Sequence, residues 1–394
     1  MNRPPLTIPF IQQILDLDSN DKIKISKEKK VTTLWAGYGE VKSITVTVSN
    51  PGNKRTTLNT SIPLIIKRVN PPSNSTSVGN QRKIKSYHVE AYFYKEIAPI
   101  ILKMDQDGIT SCPIAIPYSI DKKEDDKTDP PSFTFVLSDL SAKYNEYSSY
   151  PGLNLQQTKH AIAWLAAFHA TFYNHDSISM QSDTTEIWTE GGYWHLKTRL
   201  DELAEIPSSQ IMFQNVAYAI DERMNRNPES LTVVHGDFKE ANILFSSDEC
   251  AVVDFQYCGR GFGVKDLVML IVSSVSSRIL GELGEDGLLL LYADELKKNL
   301  VAIGKLNPDD IDQKSSFEIL KMQYELALVD YMRFMAGWGT WGTNCGYAEK
   351  RSVEILRNVV TSWSKNYGDS MSLVDVNEEG WKEAINEKYP LSLF

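Results

Sequence analysis

Cysteine is scarce, with four in 394 residues, and Cys112, Cys250, Cys258 and Cys345 form no CxxC pair. That excludes a disulfide scaffold and a thiolate metal knuckle. It predicts free thiols in a reducing compartment. Basic residues are outnumbered, 41 Lys and Arg against 51 Asp and Glu, for a net charge of −10. That balance argues against a general nucleic-acid binder, which needs a basic surface to displace counterions. Long apolar runs are also missing. The best stretch, Leu267 to Leu280, is interrupted by serines and falls short of the roughly 20 residues that span a bilayer. The opening MNRPPLTIPF has no apolar signal core, which predicts a cytoplasmic protein. The sequons at Asn59 and Asn74 are then read as chance. No repeat or biased tract points to a solenoid or fibre. What is present is a 42% hydrophobic content, enough for a large core and, at this length, for more than one domain.

Charge divides the chain unevenly. Residues 1–138 hold 19 basic and 14 acidic residues, a net of +5, and residues 139–394 hold 22 and 37, a net of −15. That asymmetry predicts two bodies with different partners. The first part reads as mostly strand. Ile44, Val46 and Val48 alternate in VKSITVTV, and PLIIKRV (Pro63–Val69) and FTFVL (Phe133–Leu137) are further strands. Val31–Leu34 reads as a strand after a charged stretch, Lys22–Lys30. Phe10–Leu17 reads as a short helix. WAGYGE (35–40) is a glycine-bearing turn, Ser49–Thr60 a polar hairpin loop, NPPSNSTSVGN a flexible loop, and Asp121–Pro131 a charged loop. From Lys83 to Lys103 the pattern is helical, with a break at Pro99.

The second part reads as helices: Leu155–Tyr173, Ile211–Arg226, Val264–Glu282, Gly287–Ile303, Phe317–Ala336 and Ala348–Tyr367. One β island interrupts them, with LTVV, ILF and AVV as short strands. Polar residues concentrate in its loops, where scaffolds hold chemistry.

That island reads LTVVHGDFKEANILF, then AVVDFQ. Its form is H-x-D-x-x-x-x-N, a hairpin, then D-F-x. Phosphoryl transfer needs a carboxylate to orient the attacking hydroxyl and take its proton. It also needs oxygen ligands that hold Mg²⁺ on the nucleotide phosphates. Asp237 suits the first role, Asn242 and Asp254 the second. Lys239 adds positive charge beside the transferring group.

With these motifs the chain resembles the protein-kinase-like small-molecule phosphotransferases, the choline kinase and aminoglycoside phosphotransferase group. It is most similar to the ecdysteroid-kinase-like branch, through HGDFKEANILF, DFQ in place of DFG, and RKIKSYHVEAYFYKEIAP. The resemblance implies an α+β, bilobal fold: a β-rich N-lobe (1–138) with one main helix, and a mostly helical C-lobe (139–394). It implies ATP and Mg²⁺ as cofactors and a small-molecule hydroxyl acceptor as partner. Lys67 matches the lysine on the α and β phosphates, and Glu90 matches the acid that pairs with it. Gly37 and Gly39 match the turn over the phosphates, although Lys42 breaks the full G-x-G-x-x-G. Leu137, Ser138 and Asp139 match the lobe connector, whose backbone meets adenine. His235 and Asp266 match residues that brace the catalytic loop, and His169 reads as a core histidine.

Two features argue against a protein kinase. HGD replaces HRD, removing the arginine that receives a phosphorylated loop, and no APE-like segment follows Asp266. A catalytically inactive nucleotide-binding scaffold is the reading of a different class. Asp237, Asn242, Asp254 and Lys67, all retained, weigh against it. Trp188, Tyr193, Trp194, Trp338 and Trp341 either fill the core or wall an acceptor pocket. The acidic C-terminal part is compatible with a cationic acceptor, whereas the ecdysteroid-like resemblance points to an apolar alcohol.

Overall fold

The computed structural model describes residues 7–17, 21–34, 37–49, 60–72, 77–123, 130–174, 187–225, 231–307, 313–364 and 372–391. Trp35 and Ala36 of the glycine turn, residues 50–59, 73–76 and 124–129, and with them both sequon asparagines, lie outside them. So do Arg226 and residues 365–367, at the ends of two expected helices. The chain divides into two compact units, Met1–Ile100 with Ile114–Lys143, and Ile101–Pro113 with Tyr144–Phe394.

The first unit is built on an antiparallel sheet in the order β1 (Lys22–Thr33), β2 (Gly39–Ser49), β3 (Thr60–Val69), β5 (Ser132–Ser138), β4 (Pro117–Lys123). The two-residue alternation does what it predicts. Ile44, Val46 and Val48 of β2 share one buried face with Leu64 and Ile66 of β3 and Val136 of β5, and Ile11 of helix α1 (Ile8–Ile14) closes it. Two expectations need correction. The charged stretch Lys22–Lys30 is itself strand, continuous with Val31–Thr33. It lies at the sheet edge, where most side chains remain in water, so lysines cost little there and discourage pairing with other chains. Asp121–Lys123, expected in a loop, ends β4, the opposite edge.

The helical stretch beside the sheet is not broken at Pro99. Helix α2 (Val78–Tyr92) runs into a π turn (Phe93–Ile97) and on into α3 (Ala98–Gln106). Ala98 N–H reaches back five residues to the Phe93 carbonyl. The wider turn accommodates a proline that lacks a donor and would clash with the carbonyl four residues earlier. Tyr87 and Tyr94 meet Phe133 and Phe135, with ring centroids 6.3 and 6.2 Å apart.

The second unit is mainly helical: α4 (Leu155–Phe172), α5 (Leu200–Ala204), α6 (Ile211–Asn225), α7 (Val264–Ser273), α8 (Ser277–Ala302), α9 (Gln313–Trp338), α10 (Cys345–Ser364) and α11 (Glu378–Lys388). The expected helix Val264–Glu282 is two helices. The chain leaves helical geometry at Ser274, whose carbonyl accepts Leu153 N–H at 2.8 Å. Asn344 holds the break open for its carbonyls, donating through Nδ2 to Ile271 O and Val275 O at 2.7 Å each. Beyond it, α8 is interrupted at Gly284 (φ 68°, ψ 175°), which separates two helical stretches, and the second contains the expected helix from Gly287. The β island comprises β6 (Thr232–Val234), β7 (Ile243–Phe245), β8 (Cys250–Val252) and β9 (Gly259–Gly261). β7 and β8 form the hairpin, while β6 pairs with β9, a strand with no sequence signal. All four cysteines are free. Among the described residues no helix is long and apolar enough to cross a membrane.

Candidate functional site

The loop from β6 to β7 is held from beneath by Asp266, in the first turn of α7. Its two carboxylate oxygens accept the backbone N–H groups of His235 (2.6 Å) and Gly236 (2.8 Å). His169 steadies that carboxylate at 3.1 Å and contacts the Tyr292 hydroxyl at 2.8 Å, the satisfied core histidine the sequence predicts. His235 is fully buried against Phe255 and Phe238, with centroids 4.9 and 5.7 Å away. Burial holds its pKa below the usual histidine value. Its Nε2 lies 3.1 Å from Val253 O, and its Nδ1 accepts Asp237 N–H at 3.2 Å. One neutral tautomer satisfies both bonds, so His235 braces the loop.

Gly236 shows why an HRD-type arginine has no place here. Its φ is +81°, and a Cβ would stand 2.2 Å from Tyr257 O. The left-handed backbone and the close carbonyl together admit only glycine.

The braced loop presents Asp237, 5% exposed. Lys239 Nζ lies 3.0 Å from each of its carboxylate oxygens. Asn242 Nδ2 donates to Asp237 O (2.8 Å) and Oδ2 (3.1 Å). Burial raises the Asp237 pKa to about 6. The charge of Asp254 pushes the same way, and Lys239 and the Asn242 bond offset part of the rise. Asp254 directly follows the β7–β8 hairpin, which is tied back by the Val253 N–H bond to Asn242 O at 3.0 Å. Its backbone is left-handed, φ +71°, a costly conformation for a residue with a Cβ and one that clusters at functional sites. Gln256 donates to its Oδ1 at 2.6 Å. Thus Asp237, Lys239, Asn242 and Asp254 form one interacting group.

In the first unit, Lys67 of β3 meets Glu90 of α2 at 2.8 and 2.7 Å through both carboxylate oxygens. Both are buried. Lys67 also lies 5.6 Å from the Tyr87 ring centroid and 5.8 Å from that of Phe135. Gly37, at φ +74°, turns the chain after Leu34. Gly39 is in β2, where a Cβ would fall 1.8 Å from Arg68 O, so the neighbouring strand demands glycine there. Leu137 pairs with Ile65 across the sheet. Ser138 N–H and Asp139 N–H donate to Ile116 O and Pro63 O, and the Asp139 carboxylate caps the following turn by accepting Ser141 N–H at 2.9 Å.

The tract GGYWHLKTR lies against the loop. Tyr193 N–H donates to Gly236 O at 2.7 Å, and Gly191 and Gly192 bond to Arg260 O and Tyr257 O. The aromatic residues then separate. Trp194 is wholly buried, with Tyr331 at 4.9 Å, so it belongs to the core. Trp188 stacks on Tyr257 with nearly parallel rings, 6.3 Å apart. Tyr193 meets Tyr257, Phe334 and Trp338 edge to face at 5.2, 5.4 and 6.1 Å. Lys239 Nζ stands 5.9 Å from the rings of both Tyr193 and Trp341. Arg199 joins this group, as described below. No sequence signal distinguishes it, because two of the rings around it, Phe334 and Trp338, come from a helix more than a hundred residues away in the chain.

The chain belongs to the ecdysteroid kinase-like family, whose profile matches residues 38–305. Comparison with curated proteins gave no match. Solved structures that resemble it include an amicoumacin kinase, hAmiN, in complex with AMP-PNP, Ca²⁺ and Ami. That match has 12% identity and a TM-score of 0.44, and covers 84% of this chain and 88% of that one. Another is the choline kinase of Cryptosporidium parvum Iowa II, with 9% identity, a TM-score of 0.44, and 86% and 90% coverage. A thermostable mutant of the aminoglycoside phosphotransferase APH(4)-Ia in its apo form matches at 12% identity and a TM-score of 0.33, covering 89% and 99%.

Proposed function

We propose that this member of the ecdysteroid kinase-like family transfers the γ-phosphoryl group of ATP to a hydroxyl of a small-molecule acceptor. The observation that carries the reading is the buried Asp237 carboxylate, flanked by Lys239 and Asn242, with Asp254 in strained backbone beside it. In the reaction the acceptor oxygen attacks Pγ, the bond from Pγ to the β,γ-bridging oxygen breaks, ADP leaves, and the hydroxyl proton passes to Asp237. A base raised to about 6 is ionised at neutral pH yet basic enough to help that transfer. Lys239 would offset charge on the moving phosphoryl group. Lys67, oriented by Glu90, would contact the α and β phosphates, with Gly37 and Gly39 in the turn above them and Leu137 and Asp139 in the connector beside adenine.

The residues fit Mg²⁺. The Asn242 amide nitrogen is engaged with Asp237, so its amide oxygen is the atom that would serve as a ligand, and Asp254 would supply a carboxylate. Among the described residues no group of three or more His, Cys, Asp or Glu could hold a metal. Two protein oxygens suit an ion that keeps waters and binds phosphate. When bound, it would neutralise charge on the phosphate oxygens.

The test is ATP consumption by the purified chain with Mg²⁺ across amino alcohols, aminoglycosides, sugars and sterols, with Asp237→Asn alongside. One acceptor class should respond, and the variant should lose about 10²- to 10⁴-fold in turnover while still binding MgATP. MgATP binding with no turnover on any acceptor would favour the scaffold reading. Absence of MgATP binding would overturn the proposal.

A further inference from the structure

Tyr193, Phe334 and Trp338 form a group of aromatic faces of the kind that holds organic cations. The group stands beside the reactive carboxylate: Tyr193 is bonded to Gly236, one residue before Asp237, and its ring is 5.9 Å from Lys239 Nζ. Its cation is already in place. The Arg199 guanidinium carbon lies 4.2 Å from the Tyr193 ring centroid, 5.3 Å from Phe334 and 5.4 Å from Trp338. Arg199 is 4% exposed and is held at both ends, Nε donating to Tyr193 O at 2.7 Å and Nη1 to Glu202 at 3.0 Å. Trp338 remains 42% exposed, so the aromatic wall is open to solvent on one side.

We infer that Arg199 is a specificity-determining residue: it fills the aromatic cage beside Asp237 and so turns away acceptors that carry a quaternary or primary ammonium group. The inference rests on the phosphotransferase reading only in taking the ligand as the acceptor. A cationic ligand entering here would have to displace a buried, doubly anchored guanidinium. It would also meet Lys239, 31% exposed at its side chain, where the carboxylates are already engaged, Asp237 by Lys239 and Glu202 by Arg199. A neutral alcohol of the same shape carries no charge to set against Arg199 and Lys239, and it can lie on the exposed part of Trp338. The net charge of −15 on residues 139–394 does not reverse this. Screened surface charge acts over a Debye length of about 8–10 Å, whereas Arg199 and Lys239 act at the wall.

A matched pair of ligands isolates the effect: choline, and 3,3-dimethylbutan-1-ol, in which carbon replaces the quaternary nitrogen. Both are titrated onto the full chain without nucleotide, and binding is read by saturation-transfer NMR from the trimethylammonium and tert-butyl signals. The wild-type chain should bind the neutral alcohol about tenfold or more tighter than choline. Arg199→Met should contract or invert that ratio by about tenfold, because the vacated faces accept the quaternary ammonium. Arg199→Lys, which keeps the charge, should preserve the wild-type order and confirm that the aromatic group survives substitution. A wild-type chain that binds choline as well as its neutral counterpart, an unchanged ratio in Arg199→Met, or no saturation transfer from either ligand would overturn the inference. No step involves ATP. Failure of phosphoryl transfer therefore leaves this result standing, and failure here leaves the kinase reading untouched.

Discussion

Burial drives Asp237 up to about 6 from its ordinary 3.8, which gives the residue a titration limb inside the working range of an enzyme. In the proposed role as base, Asp237 must be unprotonated to take the acceptor's proton. Activity is therefore expected to fall below about pH 6, close to tenfold per pH unit. Lys239 pulls that pKa down, so Lys239→Met should move the limb to higher pH as well as reduce turnover. A kcat/KM profile of both proteins from pH 4.5 to 9 checks this, and a limb that stays in place would separate Lys239 from the protonation of Asp237. The same shift has a sign for stability. With the folded pKa above the unfolded one, the contribution of Asp237 favours the fold below about pH 4 and is lost as pH rises through about 6. The fold thus bears a buried charge at neutral pH, as active sites commonly do.

At the level of elements, the interruption between α7 and α8 illustrates how an irregular backbone is kept satisfied. Ser274, at the break, accepts Glu240 N–H through its hydroxyl at 2.8 Å, so the interruption also anchors the turn that carries Asn242. Asn344 binds the carbonyls on either side and accepts Ser277 Oγ at 2.8 Å through Oδ1. It is 4% exposed, and water has little access to replace it. Asn344→Ala should cost about 2–3 kcal/mol, the penalty of leaving buried polar groups unpaired. Urea unfolding followed by tryptophan fluorescence measures it, and an unchanged midpoint would show that the carbonyls find other donors.

For the molecule as a whole, each unit has its own core, so nucleotide and metal should stabilise the chain by mass action on the native state. At a concentration about a hundredfold above Kd, MgATP is expected to add roughly 2.7 kcal/mol, seen as a raised Tm that EDTA partly reverses. Asp254→Ala should lose the Mg²⁺-dependent part of the shift and keep the rest. A variant with the full wild-type response would remove Asp254 from metal binding.

Much of this was legible in the chain. The alternation of Ile44, Val46 and Val48, the helical stripes after Leu155, and the tight H-x-D-x-x-x-x-N and D-F-Q strings are local patterns. Two-residue and 3.6-residue periods follow from backbone geometry, and the spacing of a short loop follows from the chain itself. Lys22–Lys30 misleads because charge is a statement about solvent. Only the place of β1 at the sheet edge makes a charged strand possible. Pro99 misleads because a π turn five residues wide leaves no mark in the sequence. β9 is three residues of Gly-Arg-Gly with no strand preference, recruited by β6. The reason for glycine at Gly236 is a carbonyl from Tyr257, and the Arg199 cage joins residues 193, 199, 334 and 338. Chemistry confined to a few consecutive residues was determined by the sequence. Contacts between distant segments, which bury Asp237 and set Arg199 against Tyr193, Phe334 and Trp338, were decided only when packing removed water and brought those segments together.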